Sequence, residues 1–267
     1  VTIYAHGEEL TTWGRGGKYK AMRFVLRHAD RVVANSEHTR ATLLEMGVDA
    51  ARIAVVYPGV DVTVFRPGLD TAGLREGLGI APDETLLFSV GRLSRRKGFD
   101  QAIRAVARLR AEGLPVRYVI GGIGEDAAHL DGLIAECGLQ SAVHRIGAIA
   151  EADLPRWLNA CDAFVMPNRE IDGDNEGFGM VFIEAAACGR TSLAGEAGGT
   201  GSAVLHDVTG LRVDGASVEA IADGLRALIA QPARRAALAD AALQRVRREF
   251  AWERVAAKTR QLHADQA

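Results

Sequence analysis

Short runs of consecutive apolar residues alternate with stretches where apolar positions recur every three or four residues, from one end of the chain to the other. The clearest runs lie at 86–90, 116–120, 143–146, 163–166 and 191–194. They are apolar at successive positions, as strands buried on both faces are. Helical patterns near 100–112, 126–137, 152–160 and 180–188 fall between them. This alternation predicts an α/β fold, a parallel sheet covered by helices on both faces.

Two turn-rich clusters, Pro58-Gly59-Val60-Asp61 and Arg66-Pro67-Gly68, interrupt the pattern and predict a domain boundary near residue 60. Residues 1–60 read as strand, helix (18–29), strand (31–34), helix (37–46) and strand (53–56), about a third of a domain and too little to bury a full core alone. Residues 61–250 read as a complete doubly wound unit. The last segment, 251–267, carries a helix at 252–264 expected to cross back to the first unit. The chain opens on Val1, directly in the strand-like Val-Thr-Ile-Tyr-Ala, so residues 1–60 read as the remnant of a longer domain. No solenoid-period repeat or low-complexity tract is present.

Composition narrows the function classes. The 267 residues are 48% hydrophobic and 25% charged, with a net charge of −2, as in an ordinary globular protein. The isoelectric point near 6.4 and an aromatic content of 6% speak against a nucleic-acid partner. Cys137, Cys161 and Cys188 lack metal-ligand spacing and read as reduced, mostly buried thiols of a cytoplasmic protein. No run approaches the ~20 apolar residues of a membrane span, and no signal segment opens the sequence.

Candidate chemistry gathers on strand-to-helix turns, the edge where ligands bind in open parallel sheets. Gly91-Arg92-Leu93-Ser94-Arg95-Arg96-Lys97-Gly98 follows the strand at 86–90. Gly91 allows a tight turn, and Arg92 and Lys97 place two cations where a diphosphate would sit; a solvated basic loop would look the same. Glu176-Gly177-Phe178-Gly179-Met180-Val181-Phe182-Ile183-Glu184 sets two carboxylates eight positions apart, roughly 12 Å if the whole stretch is helical. Its glycines suit a loop feeding a helix N-terminus, which attracts anionic oxygens. Glu184 has Phe182, Ile183, Ala185 and Ala186 as neighbours, so a solvated helical face is a poor reading and the acid needs a partner. His6 in Tyr4-Ala5-His6-Gly7 ends a strand and either lines a cleft or is structural.

Together these elements resemble glycosyltransferase family 4, retaining enzymes of the GT-B architecture with two Rossmann-like domains. Asn35-Ser36-Glu37-His38-Thr39-Arg40, Pro58–Asp61, Gly147 and the stretch from Ala160 to Pro167 share the likeness, which covers essentially the whole chain. The resemblance implies transfer of a hexosyl group from a nucleotide-diphosphate sugar to a hydroxyl of a glycan or lipid-linked acceptor. It implies that Arg92 and Lys97 bind the donor diphosphate, Glu184 the ribose and Glu176 the transferred sugar. Main-chain N–H groups around Phe178, Gly179, Met180 and Val181 assist, His6 contacts the sugar near the acceptor, and the segment at Ile149 meets the base. No cofactor and no metal are expected. Two features depart from the family pattern: Arg190-Thr191 stands where Val-Pro is usual, and Ser202 where an acid is common after Gly198-Gly199.

Rival readings remain. Gly122-Ile123-Gly124-Glu125-Asp126-Ala127 fits a dinucleotide-binding fingerprint, but the next strand ends in Gly147-Ala148-Ile149 without the acid such a site uses on the ribose. A module that binds a nucleotide sugar without transferring it, and a GT-B epimerase or phosphorylase, are further alternatives. Arg15, Lys18, Lys20, Arg23, Arg27 and Arg31 form a basic stripe, with Tyr19, Met22, Val25, Leu26 and Ala29 at helical spacing opposite. That stripe is either a solvated face or a peripheral contact with an anionic membrane on its inner side.

Overall fold

The structure is a computed structural model that describes residues 1–12 and 16–264. Two parallel sheets organise it. The first has three strands, β1 (Thr2–Ala5), β2 (Arg31–Ala34) and β3 (Ile53–Val55), in the order β1-β2-β3. Helices α1 (Glu8–Thr12), α2 (Gly17–His28) and α3 (Glu37–Glu45) connect them. Strand alternation splits the packing. Val32 and Ala34 enter a cluster with Leu10, Leu26 and Leu43, while Val33, between them, joins Val56 and Val255.

The second sheet has six strands: β4 (Thr85–Val90), β5 (Val116–Gly121), β6 (Val143–Gly147), β7 (Ala163–Met166), β8 (Ser192–Gly195) and β9 (Gly210–Val213). Their spatial order is β6-β5-β4-β7-β8-β9, all parallel. This is the doubly wound Rossmann order, whose direction reverses between β4 and β7. The covering helices are α4 (Phe99–Ala111), α5 (Ala127–Glu136), α6 (Leu154–Ala160), α7 (Met180–Ala187), α8 (Thr200–Ala203), α9 (Val218–Ala230) and α10 (Pro232–Arg245). Phe88, Phe164 and Phe182 fill the centre edge to face, and Trp157 stacks on Phe88. Strand β9 escapes the apolar-run criterion. It is four residues at a sheet edge, and its Arg212 and Val213 are only half-buried.

A turn of π-helix, Val246–Phe250, leads into α11 (Trp252–Ala264). There the chain runs beside the earlier crossover: the Val60 N–H donates to Phe250 O at 2.8 Å, and the Trp252 N–H donates to Val60 O at 3.3 Å. Helix α11 lies on the first sheet, where Val255 meets Val33 and Val56 and Arg31 donates to the Leu262 carbonyl.

One sequence expectation changes. Val25 does not line the packed side of α2 and is 53% exposed, because Tyr19, Met22 and Leu26 already occupy the narrow stripe that meets the sheet. The neighbouring Phe24 is 64% exposed and stacks on His28. Arg15 of the basic stripe lies outside the described residues. Cys161 and Cys188 are buried and free, with burial pushing each thiol up to about 12. Among the described residues no helix is long and apolar enough to cross a membrane.

Candidate active site

The reversal between β4 and β7 opens a crevice at the carboxyl ends of the strands. The turn after β4 and the loop after β7 face each other there. Residues Arg95–Lys97 form a 3₁₀ turn ending at Gly98, which has φ 74° and precedes α4. A side chain at Gly98 would place Cβ 2.0 Å from Pro167 O, so only glycine lets this turn close on the loop that follows β7. The closure is fastened by the Arg169 N–H, which donates to Arg96 O at 2.8 Å.

Because the turn closes, Lys97 reaches Glu176 and pairs with its Oε2. Arg96 Nη1 reaches the same oxygen at 3.0 Å, and Arg96 Nε lies 3.2 Å from Asp174 Oδ2. Burial pushes the Glu176 carboxyl up, but Lys97 and then Arg96 outweigh it and hold the group below its ordinary range. Glu184, on α7, is different. Burial first, and then the charge of Glu151, push its carboxyl up to about 7. No hydrogen bond or ion pair satisfies it among the described residues.

These groups line one cavity of about 720 Å³. From the second sheet come Gly91, Arg96, Lys97, Glu176, Phe178, Gly179, Met180, Val181 and Glu184. The first sheet supplies Tyr4, His6, Glu8 and Asn35, and α11 supplies Trp252, Val255 and Thr259. Helix α7 begins at Met180, so its first N–H groups lack an intrahelical acceptor, and Met180 and Val181 line this space. The two sheets meet at its floor. The Asn35 side chain donates to His6 O at 2.8 Å, and a Cβ on Gly177 would stand 2.4 Å from that same carbonyl. Ser202 joins the sheets as well, its hydroxyl accepting the Glu37 N–H at 3.0 Å, a role that explains a neutral residue at that position. Thr191 is fully buried and donates to Thr209 O at 3.3 Å, so it ties β8 to the segment before β9.

His6, Lys97, Glu176 and Glu184 thus converge as the sequence suggested, while Arg92 and Ile149 do not share their cavity. Both line an adjoining hollow of about 580 Å³ with Gly122, Gly124 and Ala148, and the two spaces share Val90 and Gly91. Arg92 is directed there by Glu125, whose carboxylate lies 3.1 Å from its Nε. Arg96 takes the place in the cavity expected for Arg92. Three consecutive cations, Arg95, Arg96 and Lys97, hid this, because a 3₁₀ turn does not follow the phase of a helix or strand. The 12 Å helical spacing between the two acids is also wrong. Helix α7 starts only at Met180, so Glu176 sits in the preceding loop.

The dinucleotide fingerprint has a different use. A Cβ on Gly122 would lie 1.9 Å from Gly91 O, and one on Gly124 2.3 Å from Leu93 O. These glycines admit the backbone of the 91–93 turn, not a cofactor pyrophosphate. Among the described residues no group of three or more His, Cys, Asp or Glu is placed to hold a metal ion.

The chain matches known protein families over most of its length. Residues 70–245 match the family described as Glycosyl transferases group 1, and residues 1–64 match Glycosyltransferase Family 4. The chain is 34% identical over 257 residues to a D-inositol 3-phosphate glycosyltransferase of Kineococcus radiotolerans, covering 90% of this chain and 58% of that protein. It is 38% identical over 240 residues to the protein of the same name from Rhodococcus opacus, covering 87% and 52%. It therefore spans a little over half the length of these curated relatives. In fold it follows Anabaena HepE, solved with UDP and glucose, with a TM-score of 0.86, 24% identity, and coverage of 99% of this chain and 71% of that one. The paired Rossmann-like sheets are those of the GT-B architecture, and the chain belongs to the group 1 glycosyl transferases.

Proposed function

We propose that this chain is the donor-binding part, with a portion of the acceptor side, of a retaining glycosyltransferase. The enzyme moves a hexosyl group from a nucleotide-diphosphate sugar to a hydroxyl acceptor, a glycan or glycolipid precursor. The observation that carries the reading is the meeting of Lys97, Glu176, Glu184 and the α7 N-terminus in one cavity at the sheet reversal. In this reading the base enters the hollow at Ile149, the diphosphate lies between Gly91 and Lys97, Glu184 takes the ribose diol and Glu176 the sugar hydroxyls. Residues 61–250 hold the donor, and residues 1–60 present His6 towards the sugar.

The sugar–phosphate bond breaks as the acceptor oxygen forms a bond to the same face of the sugar. The departing phosphate takes the acceptor's proton. Lys97, the α7 N-terminus and Arg92, once it leaves Glu125, stabilise the charge that grows on the diphosphate. The reading puts the hydroxyl acceptor against Tyr4, His6 and Asn35, which line the cavity, and the curated relatives are named for D-inositol 3-phosphate. Thermal-shift measurement against UDP, GDP and ADP sugars tests the donor reading, which predicts protection by at least one of them. Protection by a nicotinamide cofactor instead overturns it. Product of inverted anomeric configuration overturns retention.

Contact with an anionic bilayer is also proposed. Lys20, Phe24, Arg27 and His28 share the outward face of α2, and that helix carries no acidic residue. A cytoplasmic location is part of the same proposal, and the free thiols of the chain support it. Co-sedimentation with vesicles that does not depend on their anionic lipid content removes the membrane contact.

A further inference from the structure

We infer that Arg96 is a positioning residue for the donor sugar: it holds Glu176 in place, so the sugar's share of donor binding depends on it while the nucleotide's share does not. The inference rests on the donor reading above. Three contacts define the role. Arg96 Nη1 lies 3.0 Å from Glu176 Oε2, Arg96 Nε lies 3.2 Å from Asp174 Oδ2, and the Arg96 carbonyl accepts the Arg169 N–H at 2.8 Å. One side chain therefore clips two acids of the loop after β7, Asp174 and Glu176, onto the turn after β4. The flat guanidinium presents its donors in a fixed fork, which a lysine cannot copy. That loop doubles back sharply, with Ile171 paired to Asp174 and Asp172 at φ 53°.

The division of labour follows from which oxygen is used. Lys97 and Arg96 both address Oε2 of Glu176. Its Oε1 makes no hydrogen bond among the described residues, so it is the acceptor left for a sugar hydroxyl. Charge points the same way. Arg96 and Lys97 are balanced by Asp174 and Glu176 before any ligand enters. A diphosphate arriving beside Lys97 competes with Glu176 for its ammonium. Arg96 is the partner that keeps Glu176 ionised and aimed while Lys97 turns to the phosphate. Without it, Lys97 is the sole cation on a carboxylate only 12% exposed, and its charge is committed there.

Calorimetry on the whole chain tests this, with UDP against UDP-glucose and GDP against GDP-mannose, for wild type, Arg96→Ala, Arg96→Lys and Asp174→Asn. The wild type should bind the intact donor more tightly than the matching nucleotide. Arg96→Ala should erase that advantage, about a tenfold loss for the sugar nucleotide (about 1.4 kcal/mol), and leave the nucleotide's Kd nearly unchanged. Arg96→Lys should restore part of it, and Asp174→Asn should lose part while keeping the wild-type Tm. Equal weakening of nucleotide and sugar nucleotide would make Arg96 a phosphate ligand, and no change in either would leave it without the role; both overturn the inference. A wild type that binds none of the four ligands overturns the donor reading itself.

Discussion

Lys97 and Glu176 form an ion pair inside the cleft, with side chains only 13% and 12% exposed, although they lie on turns that follow different strands. A buried pair of this kind is costly to desolvate, so it is poor evidence for stability and better evidence for a task. The task proposed is charge stabilisation on a leaving diphosphate. Lys97→Ala should lower turnover, followed by nucleotide release, by about 10²–10³-fold. The acceptor KM should change little, because the acceptor wall comes from the other sheet. Unchanged turnover contradicts the role.

Glu184 gives a pH signature. Its folded carboxyl titrates near 7, above the ordinary value of 4.5. Below about pH 4.5 both folded and unfolded chains hold the proton. Between there and about 7 the unfolded chain releases it first, so this group's contribution to stability is lost as pH rises. Glu184→Gln should remove the loss. The variant should exceed the wild type well above pH 7 by about 3–4 kcal/mol, from the interval between 4.5 and about 7 at about 1.4 kcal/mol per pH unit, in paired urea melts. A constant difference across pH contradicts this.

Arg92 should separate binding from folding. Its side chain is 76% exposed, and its pair with Glu125 is a solvent-exposed contact that adds little to stability. Arg92→Ala should leave Tm nearly unchanged and weaken nucleoside-diphosphate binding by about 1.5–3 kcal/mol, the worth of a charged hydrogen bond. Equal affinity for wild type and variant confines Arg92 to the surface pair.

Gly177 is where the two sheets touch. A methyl group there would stand 2.4 Å from the His6 carbonyl, an atom of the backbone that cannot turn aside. Gly177→Ala should cost about 1–3 kcal/mol, as overpacking does, and should depress activity through displacement of Glu176. Wild-type stability in denaturant melts contradicts the close approach.

The strands at the sheet centre were legible because burial on both faces leaves continuous apolar runs. The apolar stretch 163–166 coincides with β7, and its four residues are all buried. Edge strand β9 was not legible, since Gly210 and Arg212 break such a run. Among site residues, Lys97, Glu176 and Glu184 were readable from motif spacing. Arg96 and Asp174 were not, because their meeting depends on a 3₁₀ turn closing against a loop 78 positions further on. The part of α11 in the cavity, Trp252, Val255 and Thr259, was invisible for the same reason: crossing geometry is set by packing, not by local pattern.

A crystal structure of the chain with UDP-glucose or GDP-mannose tests the central claim most directly. The account predicts phosphate oxygens within hydrogen-bond reach of Lys97 Nζ, the ribose diol on Glu184, and the base in the hollow at Ile149. A nucleotide seated with its phosphates away from Lys97, or outside both hollows, contradicts it.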